Sequence, residues 1–192
     1  MANVAQTTIK HYIFVRHGES TDNREGLITG LRDPSLTVKG ADQARQTGKW
    51  IATNVQAVYP ESSISIISSP LRRALGTATL IADGLNVPRW CIFHTQLLQE
   101  RSRGDLEGTP RRAYSEQDLL DHGSESIEAL NERALAAIGY LASLNSDLIV
   151  VVSHRNFLGY LIRHFTGEPI NPEELANAKP ILVNATTYHH SL

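Results

Sequence analysis

The sequence predicts a three-layer α/β/α fold with a mainly parallel central sheet. Short apolar runs alternate along the chain with longer stretches in which apolar residues recur at three- and four-residue spacing. This alternation is typical of strands joined by crossover helices. Residues 148–152 are five consecutive apolar residues, as in a strand covered on both faces. A chain of 192 residues with 41% hydrophobic content can bury one core, so we expect a single domain over residues 1–192.

The first strand is predicted at residues 12–15, after a flexible tail over residues 1–8. Residues 18–36 are rich in turn-forming residues and should form a loop. Thr37 is a suitable N-cap for a helix over residues 37–53. The apolar stripe of this helix consists of small residues, which allow close packing: Ala41, Ala44, Gly48 and Ala52.

A second strand is predicted at residues 64–67, where apolar residues alternate. Ser69 as N-cap and Pro70 at the first helical position predict a helix that runs to Asp83 and ends at Gly84. Residues 90–93 form the next apolar run and are a candidate third strand.

Residues 100–113 hold four arginines with glycine and proline, which indicates a basic loop. Ser124 is expected to open a helix over residues 124–141 with one apolar face. The strand at 148–152 leads into a helix over residues 157–165 that Gly167 and Pro169 end. A last strand is expected within residues 181–188.

Composition and charge argue against several classes of protein. The net charge of −2 and isoelectric point near 6.4 give no support for a nucleic-acid or membrane-surface partner. No apolar stretch approaches the ~20 residues that span a bilayer, and residues 1–10 lack the apolar core of a secretory signal. We therefore expect a cytoplasmic protein. Cys91 is the only cysteine, so no intrachain disulfide can form, and it is expected to be a small buried residue.

Charged or titratable side chains follow three of the predicted strands. Arg16 and His17 follow the first, Arg73 lies just past the second, and His154 follows the strand at 148–152. Because the C-terminal ends of parallel strands share one edge of a sheet, these four residues can converge on one ligand. The helix N-termini behind Arg73 and His154 are expected to add backbone N–H donors.

Two histidines and two arginines suit a phosphoryl group. In phosphoryl transfer, charge spreads over three equatorial oxygens, so catalysis consists mainly of positioning and positive charge. A neutral His17 could attack phosphorus while guanidinium groups hold the oxygens. The local motif alone also allows a simpler interpretation, in which His17 caps a backbone group at a turn.

Five stretches with further signature residues occur in order over residues 10–165. They are Arg16-His17-Gly18-Glu19 with Asn23, Thr29-Gly30 and Leu36-Thr37; residues 68–74 with Thr77-Ala78; residues 98–101 with Gly104 and Glu107-Gly108; residues 123–126; and residues 151–154. In this order the chain resembles branch 1 of the histidine phosphatase superfamily, the phosphoglycerate-mutase-like proteins.

The resemblance implies the fold of that superfamily and a reaction through phosphohistidine. It implies that His17 is the nucleophile, that Arg16, Arg73 and His154 bind the phosphoryl oxygens, and that Glu100 protonates the leaving oxygen. No metal or other cofactor is implied, because the arginines supply the positive charge.

Further residues follow from the same resemblance. Asn23, Thr29 and Gly30 are expected to line the pocket. A neutral His17 paired with a protonated Glu100 also predicts an activity optimum on the acid side of neutrality.

The chain departs from the superfamily pattern after the second histidine. Arg155 stands where the superfamily usually has glycine, and its side chain either points away as a surface residue, which we favour, or reaches the pocket. Arg103 and Arg111 are candidates for binding a substrate carboxylate or second phosphate, the alternative being a solvated loop. We expect structural or tail positions for His122, His164 and the pair His189-His190.

Three functions remain open. The first is a phosphomonoester hydrolase that acts on a small phosphorylated metabolite and releases inorganic phosphate. The second is a phosphoglycerate mutase, and the third is a non-catalytic phospholigand-binding regulator, against which the retention of all five reaction residues argues. Only 22 residues separate Glu100 from Gly123, whereas the mutases carry a long insertion there, so we favour an open site and the hydrolase. The partners expected are the substrate and, as one option, a second copy in a homodimer.

Overall fold

The computed structural model describes residues 10–58 and 62–184 as a five-stranded sheet between two layers of helices. The strands are β1 (His11–Arg16), β2 (Ile64–Ser68), β3 (Ile92–His94), β4 (Leu148–Ser153) and β5 (Pro180–Asn184). The helices are α1 (Thr21–Arg24), α2 (Val38–Ile51), α3 (Arg72–Gly84), α4 (Glu116–Asp121), α5 (Ile127–Ser143) and α6 (Arg155–Thr166).

The sheet is mainly parallel, as predicted. Its strand order is β3-β2-β4-β1-β5, and β5 alone of these strands runs antiparallel to its neighbour. Arg16 at the end of β1 lies level with Ser153 at the end of β4, and Ser68 at the end of β2 lies level with Val152. This register brings the C-terminal ends of the three strands to the same edge.

The two faces of the sheet are buried under different helices. On one face Phe14 and Val151 pack with residues of α5 and α6. On the other face Val15 and Val150 pack with residues of α2 and α3. Successive strand residues alternate between these two cores, because side chains point to opposite faces of a strand. All four of these strand residues are fully buried.

Helices α2 and α3 pack against each other at two glycines. A Cβ atom on Gly48 would lie 3.0 Å from the carbonyl oxygen of Ile81, and one on Gly84 would lie 3.0 Å from the Cα of Gly48. The small-residue stripe of α2 therefore serves helix-to-helix contact.

Two predicted helix starts are wrong by two or three residues. Helix α3 begins at Arg72 with Leu71 as N-cap, and the Ser69 hydroxyl contacts the His154 ring as well as the N–H of Leu71. Helix α5 begins at Ile127, and its N-cap is Ser126, which accepts a hydrogen bond from a backbone N–H in the first turn.

Other local differences are small. Residues 89–91 form a 3-10 turn, so β3 begins at Ile92, and Cys91 is half-buried rather than buried. One turn of helix, α1, lies inside the predicted loop 18–36, and the prediction missed the short helix α4. The tail predicted at 1–8, the end of the last strand at 185–188 and the pair His189-His190 lie outside the described residues.

Among the helices of residues 10–58 and 62–184, none is both long and apolar enough to cross a lipid bilayer.

Candidate active site

The strand ends surround one cavity of about 640 Å³. Arg16, His17, Arg73 and Glu100 all line it. The ring centroids of His17 and His154 lie 5.1 Å apart, and His154 is fully buried beside the cavity wall. The residues predicted to converge thus form one cluster.

The turn that carries His17 depends on Gly18. A Cβ atom at Gly18 would lie 2.2 Å from the carbonyl oxygen of Gly40, a distance that no side chain can tolerate. The Gly18 N–H donates to the Thr77 hydroxyl at 3.0 Å. The backbone after β1 is therefore held between α2 and α3, and His17 sits directly before this clamp.

The tautomer of His17 follows from its hydrogen bonds. Nδ1 lies 2.7 Å from the carbonyl oxygen of Gly18, which can only accept, so Nδ1 carries the proton in the neutral ring. Nε2 then holds the lone pair. The Nε–H of Arg73 donates to it over 3.2 Å.

Arg73 is held rigidly in place. Its side chain is fully buried, and its two terminal nitrogens donate to the carbonyl oxygens of Arg32 (2.6 Å) and Gly30 (2.8 Å). A guanidinium group can make these contacts together with the contact to His17 because its donors point in several fixed directions. The conformation of the loop around Gly30 thus sets the position of Arg73.

Both histidines are kept neutral by their surroundings. Burial lowers the pKa of His17 well below its usual value, and the guanidinium groups of Arg73 and Arg16 lower it further. Burial likewise lowers the pKa of His154, with Arg73 next in importance. A neutral imidazole has the lone pair that a nucleophile needs.

Ser69 fixes the ring of His154. The Ser69 hydroxyl oxygen lies 2.8 Å from Nε2 of His154 and accepts a hydrogen bond from the backbone N–H of Leu71. When the hydroxyl donates to Nε2, the imidazole proton is on Nδ1. That atom is buried and lacks a hydrogen-bond partner among the described residues.

Two further buried polar atoms at the site are without partners in the described part of the chain. They are Nε of Arg16 and Oγ1 of Thr29, and both residues line the cavity. A buried polar atom without a partner is costly. Nδ1 of His154 is a third such atom, and the centroid of its ring lies 5.1 Å from that of His17, which lines the cavity. A bound oxyanion would accept hydrogen bonds from donors in this cluster.

Arg16 is anchored by the chain near the C-terminus. Its NH1 donates to the carbonyl oxygen of Leu175 at 3.1 Å. Burial lowers its pKa to about 10, and the charges of Arg155, Arg111 and Arg73 act in the same direction. Even so, Arg16 stays protonated near neutral pH.

The carboxylate of Glu100 caps helix α6. Oε1 accepts from the backbone N–H groups of Arg101 (2.9 Å) and Phe157 (3.1 Å), and Oε2 accepts from that of Asn156 at 3.3 Å. The prediction that the α6 N-terminus donates to the ligand is therefore wrong for these two N–H groups, because Glu100 uses them. At the N-terminus of α3 one N–H group is likewise used, since that of Arg72 donates to Asp33.

Arg133 stabilises the segment that carries Glu100. This guanidinium pairs with Glu125 at 2.7 Å, donates to the carbonyl oxygens of Leu97 and Gln99, and lies 4.4 Å from the ring centre of Phe157. These contacts join α5 and α6 to the turn before Glu100.

The remaining predicted site residues also line the cavity. They are Asn23, Thr29, Gly30, Arg103, Arg111 and Arg155. Arg155 is exposed and also borders the cavity, so it lies at the surface beside the site. Gly30 contributes a backbone group to the site. Its φ is +50°, and its carbonyl oxygen accepts a hydrogen bond from Arg73.

Sequence reasoning missed Asn177. Its side-chain amide donates to the backbone oxygen of His17 at 2.8 Å and to Oδ1 of Asn23 at 3.3 Å. The next residue, Ala178, donates its N–H to the backbone oxygen of Arg16 at 2.8 Å. No local pattern around Asn177 indicates these contacts, which join segments about 160 positions apart.

The fold and the site define the class of protein. It is an α/β protein in which two neutral histidines and buried arginines lie at the edge formed by the C-terminal ends of parallel strands. The description of the matching family model is "Histidine phosphatase superfamily (branch 1)", and it covers residues 12–191. The chain belongs to that superfamily.

The relatives include both mutases and phosphatases. The chain is 31% identical to a 2,3-bisphosphoglycerate-dependent phosphoglycerate mutase of Bradyrhizobium sp. (strain ORS 278), over 88% of this chain and 89% of the mutase. It is 30% identical to an uncharacterized phosphatase, PhoE, of Bacillus subtilis (strain 168), over 80% of this chain and 76% of the relative.

Solved structures show the same fold. A phosphoglycerate mutase from Bacillus anthracis superposes with a TM-score of 0.72 at 18% identity, covering 92% of this chain and 88% of the mutase. A mycobacterial glucosyl-3-phosphoglycerate phosphatase superposes with a TM-score of 0.69 at 20% identity, covering 90% of each chain.

Proposed function

We propose that the protein is a metal-independent phosphomonoesterase that works through a phosphohistidine on His17 and acts on a small phosphorylated metabolite. One observation carries this proposal. Nε2 of His17 holds a lone pair at the cavity, because Nδ1 is committed to the Gly18 carbonyl and the low pKa keeps the ring neutral.

The first step transfers the phosphoryl group to the protein. The hydrogen bond from Arg73 to Nε2 is broken, the Nε2 lone pair attacks phosphorus, the N–P bond forms, and the P–O bond to the substrate alcohol breaks. Since Nε of Arg73 is 3.2 Å from Nε2, a phosphorus atom at Nε2 brings its oxygens next to this guanidinium. Arg16 and Nδ1–H of His154 are further donors to the charge on those oxygens.

Glu100 is the proposed acid in this step and the base in the next. Its Oε2 has the longest of the three backbone contacts, 3.3 Å to Asn156, so it is the oxygen more available for a proton. The proton passes from Glu100 to the leaving alcohol.

The second step releases inorganic phosphate. A water molecule attacks the phosphohistidine, Glu100 accepts a proton from that water, and the N–P bond breaks. His17 regains its lone pair and Glu100 its proton. Atoms and charge balance over the cycle with water as the only co-substrate.

The second candidate function is phosphoglycerate mutase. The 31% identity to a curated mutase favours it, whereas the short segment between Glu100 and Gly123 favours the hydrolase. A mutase would return the phosphoryl group to a second hydroxyl of the substrate before water reached it.

The experiment is a screen of phosphate release over a panel of phosphorylated metabolites, in EDTA and with vanadate as inhibitor. We expect release that EDTA does not affect and that His17→Ala abolishes. Protein denatured at alkaline pH during turnover should carry a base-stable, acid-labile phosphate on His17. The matched control is His94→Ala, since this exposed histidine on β3 takes no part in the site.

The outcomes separate the candidates. Interconversion of phosphoglycerates that outpaces phosphate release would replace the hydrolase with the mutase. Full activity in His17→Ala, or loss of activity in EDTA that added metal restores, would contradict the proposal.

A further inference from the structure

The cavity is far more positive than the chain around it. Of the described residues that line it, eight are arginines and one, Glu100, is acidic, although the whole chain has a net charge of −2. One phosphoryl dianion needs only part of this charge. The remainder requires an explanation.

Four of the eight arginines already have a proposed role or a contact within the protein. Arg16 and Arg73 border the nucleophile, as described above. Arg101 forms an ion pair with Glu116, and Arg111 donates to the Leu27 carbonyl oxygen at 2.9 Å. These four do not account for the outer part of the cavity.

Three further arginines border the cavity without any side-chain hydrogen bond or ion pair to the described residues. They are Arg103 on the basic loop and Arg155 and Arg163 on α6. Burial lowers the pKa of Arg103, so its guanidinium is not an ordinary solvated surface group. A fourth, Arg112, lies 4.6 Å from the ring centre of Tyr114.

Arginines around the cavity repel positive neighbours when no anion is bound, although Glu100 offsets part of this repulsion for Arg16 and Arg103. The charge of Arg155 lowers the pKa of Arg16, and that of Arg101 lowers the pKa of Arg103. Like charges on one cavity wall are unfavourable unless a counter-charge is supplied. Among the described residues no carboxylate lies within ion-pair distance of Arg103, Arg155 or Arg163, so a bound anion would supply a counter-charge that the protein does not.

The position of Arg155 is particular to this chain. It directly follows His154, where the resemblance to the superfamily leads one to expect glycine. Arg163 lies two turns further along α6, and Tyr160 between them also borders the cavity. The helix thus extends the wall of the phosphoryl site outward with two cations and an aromatic ring.

We propose that Arg103, Arg155 and Arg163 form a second anion-binding subsite, so that the preferred substrates are phosphomonoesters carrying a second phosphate or carboxylate group. This inference rests on the proposed function for the identity of the scissile group. A cavity of about 640 Å³ has the size of pockets that hold whole small molecules. Guanidinium groups suit both anions because they can donate two parallel hydrogen bonds.

The test compares matched ligands that differ in the second anion. Fructose 6-phosphate against fructose 1,6-bisphosphate is the phosphate arm, and glycerol 3-phosphate against 3-phosphoglycerate is the carboxylate arm. Binding is measured by calorimetry with His17→Ala protein, which cannot turn the ligands over. Phosphate release is measured in parallel with the wild-type protein.

We expect the doubly anionic member of at least one pair to bind about tenfold more tightly or better. Arg155→Gln and Arg163→Gln, each placed in the His17→Ala background, should each reduce this preference about tenfold, and the reduction should be greater at low salt. The control is Arg45→Gln, an exposed arginine of α2 paired with Asp42, which should leave the preference unchanged. Unfolding curves check that each variant folds.

The results distinguish this inference from the proposed function. Phosphate release with equal binding of both members in each pair would overturn the second subsite and leave the phosphatase intact. A preference that Arg155→Gln and Arg163→Gln do not alter would also overturn it. A preference that depends on these arginines, in a protein that releases no phosphate, would support the subsite and overturn the phosphatase.

Discussion

Nε of Arg73 donates to Nε2 of His17 over 3.2 Å, so one fully buried guanidinium faces the lone pair of the proposed nucleophile. The same group lowers the pKa of that imidazole. Its other two nitrogens are bonded to backbone carbonyl oxygens of a single loop, at Gly30 and Arg32. The loop, the cation and the nucleophile therefore form one rigid unit.

Replacing this cation tests whether its shape matters as well as its charge. Arg73→Lys keeps the charge, but an ammonium on a flexible stem cannot make the three contacts at once. We expect kcat/KM to fall by about 10²- to 10³-fold, as when a preorganised donor to transition-state oxygens is removed. Arg72→Lys, at the exposed neighbouring position, is the control and should stay within threefold of the wild type. Equal activity of both variants would contradict a role for the guanidinium.

Gly18→Ala tests the clamp behind His17. The added Cβ would meet the Gly40 carbonyl oxygen at 2.2 Å, so we expect a loss of unfolding free energy of about 2 kcal/mol or more, together with loss of activity. The control is Gly139→Ala in α5, where an added Cβ has nothing within 4 Å. That variant should gain up to about 1 kcal/mol from helix propensity. Urea denaturation measures both, and a neutral Gly18→Ala would disprove the close approach.

Asn177→Ala tests a positioning residue. Without the amide, the backbone oxygen of His17 and the side chain of Asn23 lose a shared donor. We expect kcat to fall about tenfold, corresponding to roughly 1.4 kcal/mol, with a smaller change in KM. Asn171→Ala, at an exposed position of the same connection, should not change kcat. A purely structural role predicts lower stability at unchanged kcat, and that result would contradict positioning.

Glu100→Gln tests the proton donor. The amide keeps the shape of the carboxyl group but cannot donate a proton to an alkoxide. We expect kcat for an alkyl phosphate to fall by about 10²- to 10³-fold. For p-nitrophenyl phosphate we expect kcat to fall by less than tenfold, because the nitrophenolate leaving group needs no proton. For alkyl phosphates the wild-type protein should be most active on the acid side of neutrality. Equal losses for both substrates, or wild-type activity rising steadily to pH 9, would contradict this role.

The two buried histidines predict how stability depends on pH. Both have a pKa well below 6.5 in the folded chain, whereas the unfolded chain binds protons on them near pH 6.5. Below that pH the unfolded state therefore holds more protons, and the free energy of unfolding falls as the pH falls. The contribution is complete above pH 6.5 and is lost at about 1.4 kcal/mol per pH unit for each histidine below it.

Chemical denaturation between pH 7.5 and 5 measures this slope. His17→Asn should reduce the slope by the amount that one histidine contributes. His94→Asn, at an exposed position, should leave the slope close to the wild-type value. An unchanged slope in His17→Asn would show that His17 titrates alike in both states.

Much of the site could be predicted because it depends on strand order. Arg16, His17 and His154 follow apolar runs directly, and parallel pairing makes the ends of those runs neighbours. The placement of Arg73 depends on a strand followed at once by a helix, which is equally visible in the sequence. The same logic failed for the helix N-termini, because their N–H groups are bonded to Glu100 and Asp33.

The sequence by itself determined the α/β fold, the edge of the sheet that carries the site, and the types of side chain there, since hydrophobic periodicity and strand ends are local patterns. Only the tertiary structure decided that Ser69 orients His154, that Asn177 holds His17 and that Arg155 borders the cavity. The partners in the first two contacts lie 85 and 160 positions apart in the chain. Such contacts depend on loop paths and side-chain rotamers, which are set by the packing of the whole chain and by no local pattern.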